Sequence, residues 1–323
     1  IPFFILASSF MTTGGVAMRI IRFSIACVGH LRGGLAIAGV FACMMFAALS
    51  GSSPATVVAI GSIVIAGMMK VGYTKDFAAG VIANAGTLGI LIPPSIPMIM
   101  FASATQNSVG RMFIGALVPA AISIVCLIAY VVITCKLNPK KAPLDPPPEV
   151  EPTVKEKLLT ARDGGLALLL IVAVLGSIIM GIATPTESGA IGVVGAILLA
   201  IFFKRFKVRM VKNAGMQAAM LVSVAMWIIF GATVFSNFHL LMGVQNMVAS
   251  FTQDLGLPPM MVIIMFQIIM LLLGFIIDEF IIVLMCAPIF TPIAVSLGFD
   301  PIWFGVLMIL NIEIAVQTPP YGF

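Results

Sequence analysis

Long apolar runs without alternation dominate the chain. Positions 190–203 and 260–277 are almost entirely apolar, whereas strands of a membrane barrel alternate apolar and polar residues over about ten positions. In lipid, helices satisfy their own backbone hydrogen bonds over such runs. The pattern predicts an all-α polytopic membrane protein.

Composition supports the same class. Of the 323 residues, 61% are hydrophobic and 9% are charged, against roughly 25% charged residues in soluble domains. These values exclude a soluble enzyme and a disordered chain. The 17 Lys and Arg residues all lie between Arg19 and Lys212. Because cytoplasmic loops collect Lys and Arg, this asymmetry indicates membrane topology rather than nucleic-acid binding.

An uncharged segment in the first half has the wrong length for ordinary crossings. Residues 33–69 would form a helix about 55 Å long, against a hydrocarbon core of about 30 Å, and two full crossings would need more residues. The middle contains a helix-breaking cluster, SGSSP at 50–54, and both flanks are basic. The segment predicts a re-entrant hairpin at about 33–70 that enters from the cytoplasm.

A proline-broken helix follows this hairpin. Residues 77–108 contain Gly86 and then Pro93-Pro94. Proline lacks an N–H and disfavours α geometry in the preceding residue, so the helix should unwind around 86–94. Irregular backbone at membrane depth is tolerated where it is buried in protein or faces a watery cavity.

The second half repeats this order. Gly298 and Pro319-Pro320 lie 226 residues after Gly72 and Pro93-Pro94. We therefore predict a first repeat at 1–137, a proline-rich cytoplasmic linker at 138–163, a helical pair at 164–212 and a second repeat at 213–323. The second repeat has a hairpin at about 258–297 and an incomplete broken helix from 301.

The charges predict that the two copies are inverted. The first hairpin has basic flanks, whereas the loops around the second carry Asp254 and Asp300 and no Lys or Arg. Inverted repeats whose broken helices meet near the midplane are the architecture of secondary transporters. An ancient duplication without a transport role is the less favoured alternative.

Polar residues cluster where the helices are expected to break. Carboxylate, hydroxyl and freed carbonyl oxygens suit a hard cation such as Na⁺. Proton coupling through Asp278 or Glu313 fits the residue types almost as well. No Lys or Arg lies in these segments, so a carboxylate substrate would depend on hairpin N–H groups, hydroxyls and bound cations.

Other polar residues favour structural roles. Thr184, Pro185 and Glu187 have the spacing of a helix start, and capping is the favoured role of Glu187. Neither histidine lies near the serine cluster in this topology. The chain therefore lacks the Ser–His pair that intramembrane proteolysis would need, and we expect that it is not an enzyme.

Six stretches resemble the large membrane subunit of TRAP (tripartite ATP-independent periplasmic) transporters. They cover most of the chain: 1–7 (IPFFILA), 28–36 (VGHLRGGLA), 49–61 (LSGSSPATVVAIG), 86–98 (GTLGILIPPSIPM), 181–192 (GIATPTESGAIG) and 311–322 (NIEIAVQTPPYG). The resemblance implies an elevator-type fold, related to the ion transporter superfamily, in a bacterial inner membrane. It also implies about two further helices at each end.

The resemblance further implies Na⁺-driven carboxylate symport with no organic cofactor. Its partners would be a small four-helix membrane subunit, a periplasmic substrate-binding protein and membrane lipid. Expected cation contacts are Ser50, Ser52, Ser53, Gly86, Thr87, Pro93, Asp278, Gln317 and Thr318. Expected substrate contacts are Ser50, Gly51, Ser52, Ser53, Asn84, Pro94, Asn311 and Pro320.

Two alternatives remain open from the sequence. One is a stand-alone divalent-anion/Na⁺ symporter, although such proteins carry Ser-Asn-Thr at their hairpin tips. The other is a non-transporting assembly subunit. The chain also departs from the family pattern Gly-Leu-Leu-Thr-Pro-Pro, since residues 315–320 are AVQTPP. Gln317 therefore adds an amide beside the expected second cation site.

Overall fold

The computed structural model describes residues 1–31, 33–138, 141, 154–254 and 256–319. Arg32, most of the predicted linker and Pro320 lie outside these residues. In the described part of the chain the secondary structure is helical, without strands. The chain divides into two compact units, residues 1–95 with 117–220 and residues 96–116 with 221–323.

Unit 1 contains the first hairpin and the helical pair. Its helices are α1 (Pro2–Thr13), α2 (Val16–Val28), α3 (Gly34–Ser50), α4 (Ser53–Val71), α5 (Lys75–Thr87), α8 (Val154–Ile179) and α9 (Pro185–Phe202). The hairpin helices α3 and α4 pack on each other and on α5, while α9 packs on α1 and α8. A 3-10 turn at Leu88–Ile90 follows α5 and also packs on α3 and α4.

Unit 2 contains the second hairpin. Its helices are α6 (Ile96–Ala104), α11 (Val244–Asp254), α12 (Pro259–Gly274), α13 (Glu279–Ser296) and α14 (Pro301–Gln317). Helices α12, α13 and α14 pack on one another, and α6 packs on α13 and α14. Two long helices, α7 (Val109–Leu137) and α10 (Val208–Leu241), contribute residues to both units.

The helices confirm the predicted class. Among the described residues, six helices are long and apolar enough to cross a membrane, and the bent pair α1–α2 would make a seventh. The hairpin helices α3 and α12 have 17 and 16 residues, or about 25 Å at the usual helical rise, which is shorter than the hydrocarbon core. This is a multi-pass, all-α membrane protein.

One boundary differs from the sequence expectation. Helix α8 begins at Val154, so residues 154–163 of the predicted linker are helical. This stretch, VKEKLLTARD, contains no glycine or proline, and Lys, Glu, Leu, Ala and Arg are good helix formers. The charged residues of this stretch suggested a soluble linker. A helix can carry charged residues where it extends beyond the membrane, so the charge is compatible with the helix observed.

The helix start between α8 and α9 has the expected cap. The Thr184 hydroxyl accepts a bond from the Glu187 N–H at 3.3 Å, and the Glu187 carboxylate accepts from the Thr184 N–H at 2.7 Å. These two bonds form a capping box and confirm the structural role predicted for Glu187.

Corresponding turns of the two repeats share their backbone and packing. Gly72 and Gly298 both have left-handed φ values, 103° and 92°. After each glycine an aromatic pair stacks: Tyr73 on Phe77 with ring centroids 6.1 Å apart, and Phe299 on Trp303 at 5.2 Å. The inverted orientation of the repeats stays a prediction.

Candidate functional site

The first hairpin turns in two residues between α3 and α4. Gly51 has a left-handed φ of 60°, which glycine adopts without the penalty of a Cβ. Ser52 is extended and is the N-cap of α4, and Pro54 lies in the first turn. The Ser52 hydroxyl makes no capping hydrogen bond in the structure. The Ser52 hydroxyl therefore does not accept the backbone N–H bond that a serine N-cap usually accepts.

A buried hydroxyl network supports the turn. The Thr56 hydroxyl donates to the Ser52 carbonyl at 2.9 Å and lies 2.9 Å from the Ser50 hydroxyl. Either hydroxyl can donate in the second bond, and the Ser50 hydroxyl also lies 3.4 Å from the Ser52 carbonyl. Ser50 and Thr56 are 1% and 0% exposed. Thr56 is a tip residue that sequence reasoning missed, because a threonine one turn into an apolar helix is usually a packing residue.

The unwound end of α5 packs directly against this tip. The Ser53 hydroxyl donates to the Thr87 carbonyl at 3.1 Å. A Cβ built at Gly89 would lie 3.3 Å from the carbonyl carbon and oxygen of Ser52. Glycine thus permits close approach of two backbone segments, so Gly89 is a second residue missed by sequence reasoning. The position of Gly89 between Gly86 and Pro93, inside the predicted helix break, is the sequence feature that could have identified it.

The remaining first-site candidates are placed differently. Pro93 and Pro94 are buried in the break after the 3-10 turn. Gly86 packs on Val57 of α4 so closely that an added Cβ would overlap the valine side chain. Asn84 is exposed, and its amide donates to the Gly80 carbonyl of its own helix at 2.8 Å. The structure therefore groups Ser50, Ser52, Ser53, Thr87 and Gly89, but does not bring the Asn84 side chain to them.

The second hairpin uses the same capping position with different chemistry. Asp278, 226 residues after Ser52, is the N-cap of α13, and its carboxylate accepts from the Phe280 N–H at 2.9 Å. The next residue, Glu279, is 3% exposed. Its Oε2 atom is buried without a hydrogen-bond partner among the described residues. The adjacent carboxylates thus have separate environments.

An amide pair lies between α12 and α14. The Asn311 amide nitrogen donates to the Gln267 carbonyl at 2.8 Å. The Asn311 Oδ1 atom and both polar side-chain atoms of Gln267 are buried and lack partners in the described part of the chain. Buried polar groups usually find a partner. Gln267, which sequence reasoning missed within its apolar run, therefore joins Asn311 as a candidate.

The other second-site candidates end α14. Thr318 adopts an extended conformation with ψ of 131°, and its hydroxyl donates to the Ile314 carbonyl at 2.8 Å. Gln317 precedes it and is half-buried, and Glu313 is buried one turn earlier. Helix α14 therefore ends at Gln317, two residues before Pro319, and Pro320 lies outside the described residues.

The chemistry of these donors is that of oxygen ligands for a hard cation. Among the described residues, no group of three or more His, Cys, Asp or Glu side chains could hold a metal ion. The first tip offers hydroxyl and carbonyl oxygens, and the second adds two carboxylates. Secondary transporters place Na⁺ and anionic substrates at unwound helices of this kind. The fold and these tips thus define a secondary-transporter type of membrane protein.

Comparison with known proteins gives the family. The family model for the DctM component of the tripartite ATP-independent periplasmic transporter matches residues 1–323. The chain is 46% identical over 323 residues to the C4-dicarboxylate TRAP transporter large permease of Pseudomonas aeruginosa, covering 100% of the chain and 74% of that protein. It is also 46% identical over 345 residues to the corresponding permease of Vibrio cholerae, with the same coverage.

A solved structure supports the fold independently. The Alcanivorax borkumensis YdaH transporter matches with a TM-score of 0.64 at 15% identity, covering 98% of this chain and 75% of that one. The chain belongs to the DctM family of TRAP transporter large permeases. Its relatives are permeases, which agrees with the expectation of a non-enzymatic protein.

Proposed function

We propose that this chain provides the transport pathway of a Na⁺-driven TRAP permease for a C4-dicarboxylate. The observation that carries the proposal is the 46% identity, over the whole chain, to two permeases named for C4-dicarboxylates. The substrate assignment comes from these relatives, and Na⁺ coupling comes from the chemistry of the two tips.

The tips support cation coupling through their oxygen atoms. At the first tip the Ser52 hydroxyl is not used in a capping bond, and it lies on the residue whose backbone contacts Gly89. At the second tip Asp278 brings a negative charge to the start of α13. At each tip a bound cation would add positive charge and favour a nearby carboxylate, because the tip sequences contain no Lys or Arg.

We further propose that Asn311 and Gln267 contribute to substrate binding. The Asn311 Oδ1 atom and both polar side-chain atoms of Gln267 lack partners among the described residues. Together they offer a ligand one amide donor group and two acceptor oxygens. Replacing Asn311 by Leu keeps a similar volume and removes the amide. We expect the apparent KM for substrate to rise about tenfold, as for loss of one good hydrogen bond in a buried site.

The family also implies two protein partners, a small membrane subunit and a periplasmic binding protein. Transport by the complete complex should therefore depend on the soluble binding protein. A stand-alone divalent-anion symporter would instead transport without it.

Reconstitution of the complete complex into proteoliposomes tests these points. Uptake of labelled succinate should require both the binding protein and an inward Na⁺ gradient. Butyrate, with the same number of carbons and one carboxylate, is the matched control and should compete poorly. Uptake that persists without Na⁺ but follows a proton gradient would refute Na⁺ coupling. Strong uptake by the membrane subunits alone would favour the stand-alone symporter.

A further inference from the structure

Unit 1 contains a cavity that is unrelated to the hairpin tips. Its volume is about 690 Å³, and its lining includes four arginines and one aspartate: Arg19, Arg22, Arg162, Arg205 and Asp163. This volume is within the range of about 300–1,000 Å³ that is typical of small-ligand sites. Nothing in the transport proposal uses this cluster.

A sharp bend and a close helix contact build the cavity. Helix α2 turns away from α1 by 72°, and Gly15 at the bend has a left-handed φ of 75°. Arg19 donates to the Gly15 carbonyl at 3.0 Å. On the other side, Gly164 of α8 packs against Phe23 of α2 so closely that any Cβ would overlap the ring. The backbone thus fixes the separation between α2 and α8.

The arginines outnumber their acidic partners. Asp163 accepts from Arg19 at 3.2 Å and from Arg162 at 2.8 Å. In the part of the chain that the structure describes, Arg22 and Arg205 have no ion pair. One carboxylate among four guanidinium groups leaves an excess of about three positive charges around the cavity.

Aromatic rings hold two of the guanidinium groups in place. The Arg19 guanidinium lies 3.8 Å from the centroid of the Phe203 ring, and that of Arg162 lies 5.1 Å from the Phe202 ring. Cation–π contacts of this geometry stabilise a cation over the ring face. The guanidinium groups of Arg19 and Arg162 are therefore held at the cavity by ring contacts as well as by Asp163.

The position of the cavity along α8 and α9 indicates which kind of anion would bind there. The apolar span of α8 begins at Leu158 and that of α9 ends at Phe202, and the two helices pack together. The cavity lies beside both ends, and the ends of apolar spans correspond to the level of lipid headgroups. Lys204, Arg205 and Lys207 follow α9, and such basic clusters mark the cytoplasmic side. Anionic lipids there attract basic groups next to membrane helices.

We propose that this cavity binds the phosphate group of an anionic phospholipid from the cytoplasmic leaflet. Arg22 and Arg205 would contact the phosphate, while Asp163 and the two phenylalanine rings position Arg19 and Arg162. Guanidinium groups suit phosphate oxygens because they donate paired hydrogen bonds. The acyl chains would lie along the apolar faces of the neighbouring helices.

Lipid titration of the purified full-length permease in detergent tests the proposal. Native mass spectrometry would count bound phosphatidylglycerol, with phosphatidylcholine as the zwitterionic comparison. We expect Arg22→Gln and Arg205→Gln each to weaken phosphatidylglycerol binding about fivefold, and the double variant about 25-fold, as for about one kcal/mol per basic group near an anionic headgroup. Arg209→Gln removes the same charge nearby, but outside the cavity lining, and should change binding less than twofold.

Several results would overturn the proposal. Equal weakening by Arg209→Gln would show binding to diffuse surface charge. Saturation by millimolar inorganic phosphate, with no preference for the lipid, would assign the cavity to a soluble anion. Unchanged lipid binding in the double variant would exclude the cavity altogether. If a glutamine variant does not fold, Arg22→Lys and Arg205→Lys replace it, because they keep the charge but lose the paired guanidinium donors. Each should weaken phosphatidylglycerol binding about twofold, and unchanged binding in both would overturn the proposed contacts.

Discussion

The two hairpins share an N-cap position but differ in the chemistry of the cap and in the turn before it. Each begins its second helix at an N-cap, Ser52 or Asp278, and the caps lie 226 residues apart. At the first tip the buried partners are neutral hydroxyl groups. At the second, the Asp278 carboxylate caps the helix, and the Oε2 atom of the next residue, Glu279, is buried without a partner among the described residues. The repeats therefore preserve the position of the N-cap but neither its charge nor the turn before it, since Gly51 is left-handed whereas Phe275 is right-handed.

This difference predicts that the two tips are not interchangeable. A neutral tip must bind a cation through dipoles alone, whereas a carboxylate adds a full charge. We expect the second tip to dominate the electrostatics of cation binding, and the first to depend on the placement of its backbone against Gly89. Four measurements can break or sharpen the comparison.

The largest expected effect is on the side from which introduced cysteines are labelled, which is an all-or-none difference. If the repeats are inverted, Thr74→Cys and Ser296→Cys lie on opposite sides of the membrane. In a background without reactive cysteines, an impermeant thiol reagent should label only one of them in vesicles of known orientation. Labelling of both from the same side would show that the repeats are not inverted.

Loss of the tip oxygens should have the next largest effect. Asp278→Asn retains an N-cap side chain, since Asn caps as well as Asp, but it removes the charge. The Na⁺ concentration for half-maximal transport should rise roughly 10- to 100-fold, and Ser52→Ala should fall at the lower end of this range.

Matched controls separate binding from capping. Asp300 caps α14 in the same manner, accepting from Ile302 and Trp303 at 2.8 and 3.0 Å. Ser62 is an exposed serine in the middle of α4, away from the tip, and is the control for Ser52. Asp300→Asn and Ser62→Ala should leave the Na⁺ dependence unchanged. A wild-type Na⁺ dependence in correctly inserted Asp278→Asn would remove that residue from the cation site.

The third effect is the loss of stability expected when a glycine at a close helix contact is replaced by alanine. A Cβ at Gly274 would overlap the Ala315 Cβ, which has no rotamer that relieves the contact. At Gly86 the overlap is with a Val57 methyl group, which can shift. Overpacking of this kind costs about 1–3 kcal/mol, so Gly274→Ala should lower the melting temperature more than Gly86→Ala.

Gly80→Ala is the control for both glycine variants. No atom lies within 4 Å of a Cβ built there, and alanine is the better helix former, by up to about 1 kcal/mol. Its melting temperature should stay the same or rise. A fall as large as that of Gly274→Ala would argue against packing as the cause.

The smallest effect concerns the stacked aromatic pairs. Tyr73 is 3% exposed, whereas Phe299 is half-buried. Tyr73→Leu should therefore destabilise the protein more than Phe299→Leu, with about 0.5–1.5 kcal/mol of each change due to ring stacking. Chemical denaturation of the purified protein would measure the difference. Equal effects would indicate that burial does not distinguish the two pairs.

Much of the architecture could be predicted from the sequence. Long apolar runs required helices, because an unpaired backbone is too costly in lipid. The SGSSP cluster and the Pro-Pro pairs marked breaks that the structure has at 51–52 and around 88–95. These features are local, since glycine, serine and proline act on their own stretch of backbone.

Tertiary structure decided which polar atoms meet. The sequence could not place Gly89 against Ser52, bury Glu279 while Asp278 caps α13, or pair Asn311 with Gln267. Nor could it gather Arg19, Arg22, Arg162 and Arg205 around one cavity. These contacts join residues from separate helices, and the packing of whole helices, rather than any local preference of the chain, fixes their distances.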